Sequence, residues 1–217
     1  MKKLIFTLLA GLPALAFAQA TYTVQGNVGH ISAPSKIFLT YRAGGKVVTD
    51  STVAQNGAFT FKGTLTDTTN ATLVADYKGV GIANLDRKVK QDILNIYLVA
   101  GTTTVNSADS LAKAKVGGTS LNEENVAYKA FMKPATDKMA KLNADYMAAT
   151  PEVRKSKEFM DAIDKRSDDI DKEENQLSKN YLQSHPNSYM SLIALNSAGG
   201  YYPEYNDVAP LYNSLSP

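Results

Sequence analysis

The stretch from Val47 to Gly63, VVTDSTVAQNGAFTFKG, constrains the fold more than any other part of the chain. Its first half alternates as an extended strand does, and Asn56-Gly57 then supplies two residues that tolerate positive φ. On the return, Phe59 and Phe61 fall on one face and the residues between and after them are polar. The stretch therefore predicts an antiparallel hairpin with one apolar face.

Other strand signals surround this hairpin. Gly44-Gly45 predicts a second hairpin turn, and Gly26 is a candidate bulge position. Short strands separated by frequent turn signals are typical of an antiparallel sandwich or open barrel. The remaining predicted strands are Tyr22–Val28, Ile37–Tyr41, Ala71–Tyr77, Ile93–Val99 and Thr102–Ser107.

The pattern becomes helical after Gly117-Gly118. Thr119 or Ser120 can cap a helix that has Glu123 in its first turn, and Pro134 should kink it. Apolar residues recur at three- and four-residue steps and predict one buried stripe. The stripe consists of Tyr128, Phe131, Ala135, Met139, Leu142 and Tyr146.

Three more helices follow in the sequence. Thr150-Pro151 predicts the start of the second helix, with Thr150 as N-cap, and His185-Pro186-Asn187 predicts its end. The third helix is predicted over Ser188–Ser197, and the fourth over Asp207–Leu215 with Pro210 inside it. We therefore predict an α+β protein, with an antiparallel β-domain at residues 19–118 and a helical hairpin or bundle segment at residues 119–217.

The first 18 residues predict a secretory signal peptide. Lys2 and Lys3 precede an apolar run that is too short to span a membrane, and Ala16-Phe17-Ala18 resembles a cleavage site. We expect cleavage after Ala18 and export to the periplasm or cell envelope. The chain has no cysteine, which excludes a lipoprotein anchor, disulfide bonds and thiol chemistry.

The charge is balanced overall and divided between the halves. Without Lys2 and Lys3, the 23 basic residues become 21, against 21 acidic ones. A neutral chain as a whole has no electrostatic attraction to nucleic acid or to an anionic membrane. Residues 19–118 carry a net charge of +4 and residues 119–217 a net charge of −4, so the halves attract each other modestly.

No residue pattern predicts a catalytic, cofactor-binding or metal site. The acidic run at residues 168–174 lacks the glycine and the spacing of a calcium loop and reads as a solvated helix face. His30 and His185 are far apart in the sequence, and no nucleophile motif accompanies either. We therefore expect a protein that is not an enzyme and holds no cofactor.

Tyr201, Tyr202 and Tyr205, around Pro203, are the candidate contact residues. Exposed aromatic rings can stack on sugars or on a partner protein. The alternative is that these rings pack a loop between two helices.

The chain also resembles a known family. Asp50-Ser51, Asn56-Gly57 and Phe59 to Gly63 are similar to the N-terminal domain of unknown function of Bacteroidetes-type envelope thiol-disulfide oxidoreductases. The resemblance continues through Ile96 to Gly101, Gly117 to Asn122 and His185 to Tyr189. In that family a thioredoxin-like domain with a Cys-x-x-Cys motif follows, and this chain does not contain it.

The resemblance implies a non-catalytic, exported accessory domain that normally precedes a thioredoxin-like domain and positions it or binds a partner. Its expected partner is that domain in the same polypeptide, or another envelope protein. The alternative is a stand-alone envelope module that binds a peptide or a glycan. Neither reading implies nucleic acid binding or a membrane span after signal cleavage.

Overall fold

The fold is described from a computed structural model, which covers residues 20–29, 31–86, 88–200 and 202–216. The predicted signal peptide lies outside the described residues, and so do His30 and Tyr201. The described chain forms two compact units. The first runs up to Thr102 and includes Ala108–Ala112, and the second comprises Thr103–Ser107 and the residues from Lys113 onward.

Strands dominate the first unit, and helices dominate the second. The strands are β1 Ala20–Val28, β2 Lys36–Ala43, β3 Lys46–Val53, β4 Ala58–Leu65, β5 Thr69–Asp76, β6 Asp92–Leu98, β7 Gly101–Ser107 and β8 Lys115–Gly117. The helices are α1 Ser120–Ala148, α2 Pro151–Arg154, α3 Lys157–Ser184, α4 Tyr189–Gly199 and α5 Tyr205–Asn213. Most of β7 and all of β8, which the sequence analysis assigns to the β-domain, group with the helices.

The strands form two four-stranded sheets. One has the order β3-β2-β5-β6 with antiparallel neighbours, and the other contains β1, β4, β7 and β8, with β1–β4 and β7–β8 pairs that are antiparallel. Within the first unit, the Tyr22 ring of β1 meets the Tyr41 ring of β2 edge to face at 6.1 Å, so the two sheets face each other there. The predicted α+β class, with an antiparallel sandwich followed by helices, is confirmed.

The turn predicted at Asn56-Gly57 is confirmed, but the predicted pairing of its two flanking strands with each other is wrong. Asn56 and Gly57 do adopt positive φ, at 51° and 84°. Only Gln55 and Ala58 form a bridge across the turn, however, because β3 pairs with β2 whereas β4 pairs with β1. The turn therefore carries the chain from one sheet to the other. Phe59 and Phe61 are buried as predicted.

The Gly44-Gly45 hairpin is confirmed. Both glycines have positive φ, and Ala43 faces Lys46 in the register of β2 and β3. In a hairpin with this two-residue loop, the N–H of Ser51 points away from β2, toward the open edge of the sheet. That N–H donates to the Asp50 carboxylate at 2.7 Å.

Gly26 is not a bulge, because β1 and β4 stay in regular register past it. Phe59 lies directly opposite Gly26, and a Cβ on this glycine would be 2.0 Å from ring carbon Cζ of Phe59. The same arrangement recurs four residues earlier, where Tyr22 lies opposite Gly63 and a Cβ would be 2.7 Å from its ring. Each glycine thus leaves room for an aromatic ring from the neighbouring strand.

The helices of the second unit begin where the sequence predicts. Helix α1 starts at Ser120 with Thr119 in the N-cap position, although the Thr119 side chain makes no capping hydrogen bond. The Glu123 carboxylate in the first turn accepts the Gly118 N–H at 3.2 Å. The helix continues on both sides of Pro134. The predicted second helix is two helices. The Thr150 hydroxyl caps α2 as predicted, but α2 ends at Arg154 and Ser156 caps α3.

Helix α3 packs against the stripe predicted for α1. Ala135 and Leu142 of α1 are buried with Ile170 of α3, and Met139, Ile163 and Leu177 pack against them. At the border of this core, Arg166 of α3 donates to the Asp145 carboxylate of α1 at 2.7 Å. Among the described residues, no helix is long and apolar enough to cross a membrane.

The contact between Gly26 and Phe59 gives a stability prediction. Gly26→Ala should lower the free energy of unfolding by about 1–3 kcal/mol, because the added methyl group overlaps the ring. In a double-mutant cycle with Phe59→Leu, the combined loss should be smaller than the sum of the single losses, since the shorter side chain makes room. Urea denaturation measures the free energy of unfolding of the unchanged protein, the two single variants and the double variant.

Gln25→Ala is the matched control, because Gln25 precedes Gly26 on β1 and is exposed. Its effect should stay below about 0.5 kcal/mol. Additive losses for the Gly26 and Phe59 substitutions would contradict the proposed contact.

Candidate docking surface on the C-terminal helices

The end of α3 forms the base of the candidate surface. The Tyr181 ring is buried, stacks on His185 at 4.3 Å and meets the Tyr128 ring edge to face at 4.8 Å. Burial raises the pKa of the Tyr128 phenol, because the charged form would lose its hydration. The aromatic contacts fix the point at which the chain leaves α3 and turns into α4.

Helix α4 is tied to this base by its own cap. The Ser188 hydroxyl accepts the Met190 N–H at 3.1 Å and donates to the Glu124 carboxylate of α1 at 2.7 Å. At the other end of α4, the Asn175 side chain of α3 donates to the Ala198 carbonyl at 2.8 Å. Both ends of α4 are therefore held by hydrogen bonds to longer helices.

Helix α4 is apolar on two faces, and only one of them is covered. Met190 and Ala194 are fully buried. Leu192 is 48% exposed and Ile193 37% exposed, although both are large aliphatic side chains. A helix that is apolar around its circumference normally lies inside a protein. The exposed face of α4 is therefore suited to packing against another surface.

Helix α5 folds back beside α4. Gly200 has φ of 67° and ends α4, and Gly199 lies so close to α5 that a Cβ there would be 3.4 Å from Val208. After α5, the Ser216 N–H donates to the Pro186 carbonyl at 3.0 Å, next to the start of α4. Between these elements lie two cavities, one on each side of Tyr212.

The first cavity, of about 610 Å³, is lined by Tyr189, Leu192 and Tyr212 together with residues of the two flanking turns. The second, of about 570 Å³, is lined by Tyr205, Val208 and Tyr212. We call Tyr189, Leu192, Tyr205 and Tyr212 the tyrosine surface. Tyr212 joins its two halves, because it lines both cavities.

Two of the three predicted contact residues, Tyr202 and Tyr205, are described by the structure. Tyr205 is 81% exposed and begins α5. Tyr202 is 83% exposed in the preceding turn, but it lines neither of the two cavities. Tyr201 lies outside the described residues. The described rings of the predicted cluster are therefore exposed to solvent, not packed in a loop.

The sequence analysis did not identify Tyr189, Leu192 and Tyr212. Their signal was compositional, because residues 180–217 contain half of the 12 tyrosines and no Lys or Arg. Protein interfaces are enriched in aromatic residues, and their centres are depleted of charge. This combination makes residues 180–217 a candidate contact surface on more evidence than the three tyrosines around Pro203 alone.

The acidic run on α3 is a solvated face, as its sequence indicates. Glu173 forms an ion pair with Lys138 of α1, and Asp169 lies 3.7 Å from Lys172. No group of three His, Cys, Asp or Glu side chains in the described part of the chain is arranged to hold a metal ion.

Residues 22–125 match the model of a family described as Domain of unknown function (DUF4369). The match covers the strands and the beginning of α1, and it supports the resemblance to a domain of unknown function. The association with thiol-disulfide oxidoreductases goes beyond that description. A comparison with curated proteins and a comparison with solved structures found no match.

The exposure of the tyrosine surface gives a stability prediction. Tyr205→Ala and Tyr212→Ala should each change the free energy of unfolding by less than about 0.5 kcal/mol, because solvent already surrounds both rings. Tyr181→Ala should lower it by about 3 kcal/mol, since that ring is buried among aromatic neighbours. Chemical denaturation, monitored through the helix content, measures these free energies of unfolding. A loss for Tyr212→Ala as large as that for Tyr181→Ala would show that Tyr212 belongs to the helical core.

Proposed function

We propose that this chain is a non-catalytic, exported accessory module that binds a partner protein domain through the tyrosine surface. The observation that carries the proposal is the exposed apolar face shared by α4 and α5. Tyrosine supplies a large contact area with few rotatable bonds, and a surface without lysine and arginine loses little hydration when it is covered. The proposal assigns no catalytic role to this chain.

The proposed partner is a thioredoxin-like redox domain, in the same polypeptide or in another envelope protein. Its support is the resemblance of the sequence to the N-terminal domain of envelope thiol-disulfide oxidoreductases. The chain has no cysteine, so all thiol chemistry would reside in the partner. The role of this chain would be to position the redox domain or to select what it meets.

Photocrosslinking in the native envelope tests this proposal. Replacing Tyr205 or Tyr212 with p-benzoylphenylalanine places a reactive ketone on the tyrosine surface. We expect a crosslink to a domain that carries Cys-x-x-Cys, within the chain's own polypeptide or in a second protein, identified by mass spectrometry. Met147 is the control position, because it is 73% exposed and lines neither cavity beside Tyr212.

Two outcomes contradict the proposal in different ways. Equal crosslinking from position 147 would mean that the tyrosine surface has no special affinity. A crosslink specific to position 205 or 212, but to a domain of another class, would retain the docking surface and remove the redox partner.

A second candidate function is glycan binding. The cavity of about 610 Å³ is lined by hydroxyl and amide groups beside two tyrosine rings, which is chemistry suited to sugars. The groups are those of Asn187, Ser188, Asn213 and Ser216.

Titration with envelope oligosaccharides, followed by tyrosine fluorescence, tests this candidate. Tyr212→Phe should keep the affinity, because the ring face remains, and Tyr212→Ala should weaken it by about tenfold. Equal affinities for the two variants would exclude ring stacking by Tyr212.

A further inference from the structure

The loop between β5 and β6 exposes an unusual share of apolar side chains. We call residues 77–91 the valine–lysine loop. Among the described residues of the first unit, five of the seven large exposed hydrophobic side chains lie in this loop or at the start of β6, and the other two are Val47 and Val53 of β3. The five are Tyr77, Val80, Ile82, Val89 and Ile93, with exposed fractions of 44%, 46%, 37%, 59% and 41%.

Hydrogen bonds hold the described residues of this loop. The buried Asp76 carboxylate accepts the Gly81 N–H at 2.7 Å and the Lys78 N–H at 3.2 Å. The Asn84 side chain donates to the Val80 carbonyl at 2.9 Å, and the Gln91 side chain donates to the Val89 carbonyl at 2.7 Å. The backbone that carries the valines is therefore held by hydrogen bonds while their side chains face solvent.

Lysines share the surface with these apolar side chains. Lys78 and Lys90 line the same cavity of about 310 Å³ as Val80 and Val89, so cations and aliphatic groups surround one opening. Lys88 is exposed in the same loop. By sequence, residues 77–91 contain four basic residues and one acidic residue, a net charge of +3.

The acidic residues nearby are occupied by donors of the protein. The Asp86 carboxylate accepts the Lys88 N–H at 2.9 Å, and both oxygens of Asp76 accept backbone N–H groups. Asp92 accepts the Tyr77 hydroxyl at 2.6 Å and the Leu111 N–H at 2.8 Å. The lysine ammonium groups thus remain the charges offered to an outside ligand.

We propose that the valine–lysine loop is a peripheral binding site for anionic phospholipid surfaces. Branched aliphatic side chains would enter the boundary between headgroups and acyl chains, and the lysines would contact lipid phosphates. The composition favours lipid over a protein partner, because lysine is depleted from protein interfaces and valine is under-represented among their energetic hot spots. The neutral net charge of the chain without Lys2 and Lys3 does not oppose this, since screening limits the attraction to charges near the contact.

Vesicle flotation tests the proposal on the chain that starts at Gln19, the mature form expected from the sequence. We expect binding to vesicles with 30% phosphatidylglycerol in phosphatidylcholine, and little binding to phosphatidylcholine alone. Replacing Lys78, Lys88 and Lys90 with Gln should reduce the partition coefficient by about tenfold or more. Val80→Ser with Val89→Ser should reduce it by a similar factor through the lost insertion.

The matched control replaces Lys141, Lys155 and Lys165, exposed lysines in the helical unit, with Gln. This control has the same net charge as the lysine variant of the loop and should bind within about twofold of the unchanged protein. Melting curves confirm that each variant is folded. Absence of binding by the unchanged protein would overturn the proposal, and so would an equal loss in the control or binding that survives both loop variants.

Discussion

The first unit depends on the turn at Asn56-Gly57, which connects β3 of one sheet to β4 of the other. Gly57 is buried, and a Cβ there would lie 2.7 Å from the Val28 carbonyl oxygen. Its backbone forms two hydrogen bonds, one with the last residue of β1 and one with the segment that follows. The Gly57 carbonyl accepts the Val28 N–H at 2.9 Å, and the Gly57 N–H donates to the Ile31 carbonyl at 2.7 Å. Glycine's freedom at positive φ and its lack of a side chain are both required here. The passage of the chain from one sheet to the other therefore depends on this glycine.

Local features of the sequence predicted local structure well and long-range pairing poorly. The Gly44-Gly45 turn, the Thr150 cap and the burial of Phe59 and Phe61 depend on neighbouring residues, and all are present. The partners of β3 and β4 depend on competition among strands, which turn chemistry does not reveal. The break at Ser156 was also not predicted, because residues 152–184 contain no glycine or proline to signal it and Ser156 acts through its side-chain cap of α3.

The candidate site shows the same limit. Aromatic residues around Pro203 were visible in the sequence, and Tyr202 and Tyr205 are exposed, while their role in contacts stays a prediction. Leu192 and Tyr212 instead read as ordinary helix positions, because the sequence of an apolar helix does not say which face another helix will cover. Hydrogen bonds to α1 and α3 hold both ends of α4, the helix that carries Tyr189 and Leu192 of this surface.

The Asp50 carboxylate has a consequence for assembly at high concentration. β3 lies at the edge of its sheet, most of its side chains are exposed, and five of its eight residues are β-branched. Such an edge can serve as a template on which another chain adds a strand. Asp50 places a negative charge there and occupies the N–H of Ser51. A molecule without this carboxylate would keep the same hydrophobic core and the same turns. Its edge would offer one more free donor and one less repulsive charge to every neighbouring copy, so the change would appear in fibre growth during storage and not in the melting curve.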